Sequence, residues 1–444
     1  MAKKIIITET KLKRKGLRVI YEGDGHEDDE LMFVTENIEL DSLIKDEKKR
    51  NKQFSGYEQT KLNLKKSEKS LEEISLPPKK KLLMLPGIGL GPDIFDQLKR
   101  VMKWMERACY VSFDIHEGLF DDYYTQNGNT LTDDTIKEAK KADAILFGDF
   151  RQYNQGNIEN NSHTEQSLYN LVRALDLYVN VRPVSNFTTD GDDPNKKKLL
   201  KKQELHDVDT DFATDLDFLM INEADVYDVE YDTDDDLESE RMECVFQVAF
   251  EMAKKRKNSV TFVETSDEKA KSQMLEILQD IHKRNFSEVE LNHIAVENCE
   301  FQLSRQPENF DILVTDRHTQ KMLFDTATKL AGPQEIFPSA YFGKEDKYGK
   351  RRALYKPLHN ISSKSLEKNT ANPLAIILSY AACLQYSFNM EKDASLLIDA
   401  VRSVLTNEHG TQDIAKDEID LISYEQMGEA IVTELKLLVQ GFEL

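Results

Sequence analysis

"LLMLPGIGLGPDIF", residues 82–95, runs from four apolar residues through Pro86 and three glycines, Gly87, Gly89 and Gly91, into an amphipathic segment. Glycine adopts left-handed backbone freely and lets other groups approach the chain closely. The stretch therefore reads as a buried strand, a tight turn and a helix start. One such turn is common to many folds. Downstream, however, the same grammar repeats. "DAILFGD" (143–149), "SLYNLVRALDLY" (167–178), "DFLMINE" (217–223), "CVFQVAFEMAKK" (244–255), "SVTFVET" (259–265), "QMLEILQDIHKR" (273–284) and "FDILVTD" (310–316) alternate short apolar strands with amphipathic helices. Such alternation predicts an α/β layered fold with a largely parallel sheet.

Upstream the pattern differs. "KKIIITETKL" (3–12), "KGLRVIYEG" (15–23) and "ELMFVTENI" (30–38) are rich in β-branched and aromatic residues, as in a small antiparallel meander. A polar, lysine-rich stretch ending in Pro77 and Pro78 follows and reads as a linker. Residues 1–79 are thus expected to be a β-rich appendage with its linker. Two insertions, "TTDGDDPNKKKLLKKQELHDVDTD" (188–211) and "DVYDVEYDTDDDLESE" (225–240), are too polar for a core and read as solvated loops.

The 444 residues allow two lobes and an appendage. A net charge of −22 excludes duplex nucleic acid as a main partner, since phosphate contacts need a basic surface. The four cysteines, Cys109, Cys244, Cys299 and Cys383, are scattered and indicate neither a disulfide framework nor a zinc site. No apolar run reaches membrane length; "PLAIILSYAACL" (373–384) is core-helix length. The start carries no secretory pattern, and a cytoplasmic protein without a membrane partner is expected.

Taken together and in order, "LLMLPGIGLGPDIF", "LVRALDLYVNVRP" (171–183), "FDILVTD", "IFPSAYFG" (336–343) and "LHNISSKSLEKNTANPLAIILSYAACLQYSF" (358–388) resemble the isocitrate and isopropylmalate dehydrogenases over about residues 80–420. These are metal-dependent β-decarboxylating enzymes. The resemblance implies a two-domain α/β fold: a large domain from 80–178 and 332–444, and a small dimer-forming domain from 179–331. It implies a homodimer, or a hetero-oligomer with a family paralogue, and NAD or NADP with Mg²⁺ or Mn²⁺ as cofactors.

The family's chemistry needs a metal to polarise an oxygen, cations to hold substrate carboxylates and a group to move protons. By resemblance, Arg173 and Arg182 match two substrate-binding arginines, and Ser167 matches the serine of isocitrate-using members. A third arginine is replaced by Asn222. The family's tyrosine falls near Val229, flanked by Tyr227 and Tyr231. The catalytic lysine is replaced by Thr265, with Lys269 or Lys271 as the nearest ammonium groups in sequence. Of three metal aspartates, the first aligns with Glu297 and the third with Asp325. The middle one, in a Gly-Asp pair, aligns with Gln320 and Lys321. The resemblance implies that Lys321 repels an ion and pairs with Asp325 or Glu297 instead. His359 and Asn372 match adenine-side residues, but Asn360 replaces the glycine after the histidine. Lys364 matches NADP-dependent members, and equally suits a surface lysine on a relaxed loop.

Two readings follow. In the first, the chain is a catalytically impaired or inactive member, a pseudoenzyme or regulatory-type subunit, that still binds a small dicarboxylate and a dinucleotide. In the second, it is an active NAD(P)-dependent decarboxylating dehydrogenase of a 2-hydroxy acid such as isocitrate, with a rearranged metal site.

Overall fold

The computed structural model describes residues 79–441, except 88–89, 110, 119–130, 149–159, 188–215, 228–234, 266–267, 348, 359–370, 408 and 415–419. The expected N-terminal meander and the insertion at 188–211 lie outside the described residues. So do Tyr231, His359 and Lys364.

The opening stretch folds as read. Strand β1 (Lys80–Leu85) is buried over its last four residues, Gly87 takes a φ of 77°, and α1 (Gly91–Cys109) begins at the third glycine. Strand β2 (Phe113–Glu117), helix α2 (Asp133–Lys141), β3 (Ala144–Phe147) and α3 (Asn160–Ala174) follow. Next come β4 (Val179–Ser185), β5 (Asp217–Glu223), α4 (Asp235–Lys254), β6 (Ser259–Glu264), α5 (Glu268–Asn285), β7 (Glu290–Ala295) and α6 (Val296–Arg305). Strand β8 (Ile312–Val314), α7 (Arg317–Ala331), β9 (Pro338–Glu345), β10 (Arg351–Pro357), α8 (Leu374–Tyr386) and α9 (Glu391–Thr406) complete the main layers. A two-residue pair of strands, β11 (His409–Gly410) with β12 (Asp420–Leu421), precedes α10 (Tyr424–Gly441).

One ten-stranded sheet runs β2-β1-β3-β10-β9-β4-β5-β8-β6-β7. Its flanks are parallel, as the alternating pattern predicts, whereas the pairs β10–β9, β9–β4 and β4–β5 at its centre are antiparallel. The first of these pairs is local. Strands β9 and β10 form a hairpin whose turn contains Gly349 at φ 74° and is tied by the Lys350 N–H to Asp346 Oδ1 bond. The strands from 80–147 and 338–357 occupy one half of the sheet, and those from 179–314 the other.

Helix α8 is apolar on every side and buried over nearly its whole length, as a helix without a polar face must be. The acidic stretch 225–240 departs from the loop expectation. Its described residues form a short 3₁₀ turn, Asp225–Tyr227, and the first turns of α4. Acidic residues favour a helix N-terminus, where the backbone N–H groups present partial positive charge. None of the four cysteines is in a disulfide; burial pushes the Cys244 thiol up to about 11 and that of Cys299 to about 12. Among the described residues no helix is long and apolar enough to cross a membrane.

Candidate active site

Antiparallel register places residues directly opposite one another on the same sheet face. Tyr341 of β9 lies opposite Asn180 of β4, which lies opposite Asn222 of β5. A row of three polar side chains thus crosses the sheet centre, each of them buried. Arg182, two residues along β4, shares that face. Its guanidinium carbon sits 5.3 Å from the Phe324 ring centroid, which places α7 over the row.

The 3₁₀ turn after β5 is the point where several groups meet. Arg173, at the end of α3, donates from Nε (3.1 Å) and Nη2 (2.6 Å) to the Val226 carbonyl. Arg317, the first residue of α7, donates to the adjacent Asp225 carbonyl at 3.1 Å. Tyr341 donates its hydroxyl to the Asp225 carboxylate at 2.9 Å, and burial together with Asp225 pushes its pKa well up. Beside them, Glu223 accepts from Arg241 at 2.7 Å; burial raises its carboxyl despite the charges of Arg241 and Arg317. Arg317 was not singled out in the sequence, because only the fold carries the start of α7 to the end of β5.

Thr265, which the resemblance sets at the family's lysine, takes part in a helix cap. Asp316 accepts from the His318 N–H (2.8 Å), the Thr319 N–H (3.0 Å) and the Thr319 hydroxyl (2.6 Å), and the Thr265 hydroxyl bonds to the same carboxylate. Burial alone would raise the Asp316 carboxyl, but these hydrogen bonds outweigh it and hold it below its ordinary value. A carboxyl depressed on folding stabilises the fold above its unfolded pKa, and that contribution is lost as pH falls through the folded value. Asp316→Ala is expected to cost about 0.5–2 kcal/mol at neutral pH. The difference from wild type in urea unfolding should shrink as pH drops below the ordinary carboxylate range. Lys271 reaches the end of β6 as well, where it pairs with Glu264 at 2.8 Å.

The expected pairing of Lys321 with Asp325 or Glu297 is not formed. All three side chains are exposed, and among the described residues no ion pair joins them. Exposure explains the difference, because water solvates each charge more cheaply than two flexible chains can be ordered into a pair. Gln320, beside Lys321, is instead buried at 1% exposure. Ser167 is fully buried on α3, and Tyr227 lies in the 3₁₀ turn. Asn372 accepts from the Leu374 N–H at 2.9 Å and donates to Asp413 at 3.1 Å, so its amide organises the start of α8.

Against known proteins, the profile described as isocitrate/isopropylmalate dehydrogenase matches residues 81–431. The chain belongs to the isocitrate/isopropylmalate dehydrogenase family. It is 31% identical to the 3-isopropylmalate dehydrogenase of Pelagibacter ubique over 379 residues, covering 81% of this chain and 99% of that one. With the 3-isopropylmalate dehydrogenase of Rhodopseudomonas palustris it shares 32% identity, over 81% and 98% of the two chains. The fold is similar to the isocitrate dehydrogenase of Methylococcus capsulatus, with a TM-score of 0.61, 24% identity and coverage of 80% and 99%. It is similar too to a β-decarboxylating dehydrogenase of Thermococcus kodakarensis, with a TM-score of 0.59, 23% identity and coverage of 81% and 97%.

The family is one of metal- and NAD-dependent oxidoreductases, and the described residues at the positions that the resemblance assigns to the metal are a poor match for a divalent ion. Glu297 and Asp325 are the carboxylates that the resemblance assigns to metal positions. Lys321 puts an exposed ammonium one helical turn from Asp325. Among the described residues no group of three His, Cys, Asp or Glu side chains is placed to hold an ion. A hard divalent cation needs several oxygen ligands, and a nearby fixed positive charge opposes it.

Proposed function

We propose that this family member is catalytically impaired or inactive as a dehydrogenase and is retained to bind a small dicarboxylate, and through it or a dinucleotide to regulate or assemble with a partner. The observation that carries the reading is the fate of position 265. The threonine there is spent on the Asp316 cap, and a hydroxyl offers neither the charge nor the acidity of an ammonium. The buried Gln320 and exposed Lys321, where the family's Gly-Asp pair aligns, point the same way. Retention of Arg173 and Arg182 near Tyr341 and Asp225 favours an anionic ligand, since a guanidinium fork suits a carboxylate.

The family's two-domain organisation, with 80–178 and 332–444 against 179–331, is part of this reading, as is dimer formation through the second segment. Exposed Phe301 on α6 and Met322 on the adjoining α7 support it, because neighbouring apolar side chains left to solvent mark association surfaces. Phe301→Asp should shift the chain toward monomer in sedimentation equilibrium.

One preparation tests the function. Nicotinamide reduction is assayed with NAD or NADP, Mg²⁺ or Mn²⁺, and isocitrate, isopropylmalate, tartrate or malate, while thermal unfolding reports binding of the same acids. The reading expects stabilisation by an acid, lost in Arg182→Ala, without turnover. Metal-dependent turnover that collapses in Arg173→Ala would establish the active-enzyme alternative.

A further inference from the structure

Six buried side-chain polar atoms among the described residues have no hydrogen-bond partner in the protein, and four of them converge on the sheet face under α7. They are Asn180 Oδ1, Asn222 Oδ1, Arg182 Nε and Gln320 Nε2. Asn180 and Asn222 face each other across β4 and β5, and Arg182 is two residues from Asn180 on the same side. Gln320 lies one turn before Phe324, the ring on which Arg182 rests, so it shares that face of α7. Asn180, Asn222 and Gln320 are at most 2% exposed. The remaining two atoms, on Gln97 of α1 and Tyr380 of α8, lie elsewhere.

Buried polar groups are normally satisfied, and a native protein that leaves several unmatched in one place calls for an explanation. Chemically, the set is two amide oxygens that accept and two N–H groups that donate, with no carboxylate among them. A metal would find only neutral amide oxygens beside a guanidinium. A 2-hydroxy acid matches better. Its hydroxyl donates to an asparagine oxygen, and a carboxylate oxygen accepts from Arg182 Nε and Gln320 Nε2. Each amide can also turn over and present its NH₂, so the hydroxyl can be met as donor or acceptor.

We infer that Asn180, Asn222, Gln320 and Arg182 form a metal-free seat that recognises the hydroxyl and one carboxylate of a 2-hydroxy acid. This rests on the anion-binding reading above and adds that amide groups do the work the family gives to a metal ion.

Malate and succinate differ by one hydroxyl and provide the probe pair. Their affinities are measured by calorimetry on the full chain in EDTA, for wild type and Asn222→Leu. Malate should bind at least ~10-fold tighter than succinate, because a site with buried groups awaiting a hydroxyl rejects the analogue that lacks it. In Asn222→Leu the preference should vanish while the ligand-free melting temperature holds or rises, since an unmatched polar atom has been removed. Gln320→Leu should weaken both acids and serves as a second variant. Equal affinities in wild type would overturn the seat while leaving anion binding intact. Malate binding that appears only with Mn²⁺ would overturn it too. Binding of neither acid at millimolar concentration would overturn the anion-binding reading and the seat together.

Discussion

Asp311→Ala is expected to lower the free energy of unfolding by about 3–5 kcal/mol, enough to remove a large share of a domain's stability. Asp311 is 1% exposed just ahead of β8. It accepts from Arg256 Nε at 2.8 Å and from the Ser259 N–H at 3.3 Å. Arg256 also reaches Asp217 at 2.9 Å, and Tyr386 together with these carboxylates raises its pKa in spite of burial. The cluster ties the end of α4 to the starts of β5, β6 and β8. Deleting the carboxylate leaves the largely buried guanidinium with the mostly exposed Asp217 as its remaining carboxylate and takes the acceptor from the Ser259 N–H, a loss that exceeds what the pair itself contributes. The check is urea unfolding of Asp311→Ala and Arg256→Leu, singly and together. The double variant should be less damaged than the sum of the singles, because both charges leave together. A loss under about 1 kcal/mol for Asp311→Ala would contradict the account.

The second large effect is on turnover. Alongside a 3-isopropylmalate dehydrogenase with NAD and Mn²⁺, this chain should reduce nicotinamide at least ~10⁴-fold more slowly on any of the four acids. A positioned acid/base typically contributes ~10²–10⁴ in rate, and polarisation by a metal several kcal/mol more. Here Thr265 hydrogen-bonds to Asp316, Lys271 is paired with Glu264, and Lys321 stands where the resemblance sets a metal aspartate. Groups that act as a unit are not rescued one at a time. Thr265→Lys alone should therefore leave the rate unchanged within a factor of a few, as should Lys321→Asp alone.

The layers were legible in the sequence because each apolar strand and amphipathic helix carries its own period, and Gly87 marked a turn that needs positive φ. The antiparallel centre was not, since strand neighbours are chosen by packing between distant segments such as β4 and β9 rather than by local pattern. The site shows the same division. The resemblance singled out Arg173, Arg182 and positions 265 and 321. It could not reveal that Arg317 meets Asp225, or that Tyr341, Asn180 and Asn222 form a row, because register brings those residues together. Nor could it tell that Lys321 stays solvated, a matter of exposure rather than spacing.

The central claim, that this chain has lost the family's metal site, is tested most directly by titrating Mn²⁺ into the protein with malate present and following free ion by electron paramagnetic resonance. The account predicts only weak, non-saturating binding, unchanged in Asp325→Asn. Stoichiometric binding at micromolar Mn²⁺ that disappears in Asp325→Asn and in Glu297→Gln would contradict it.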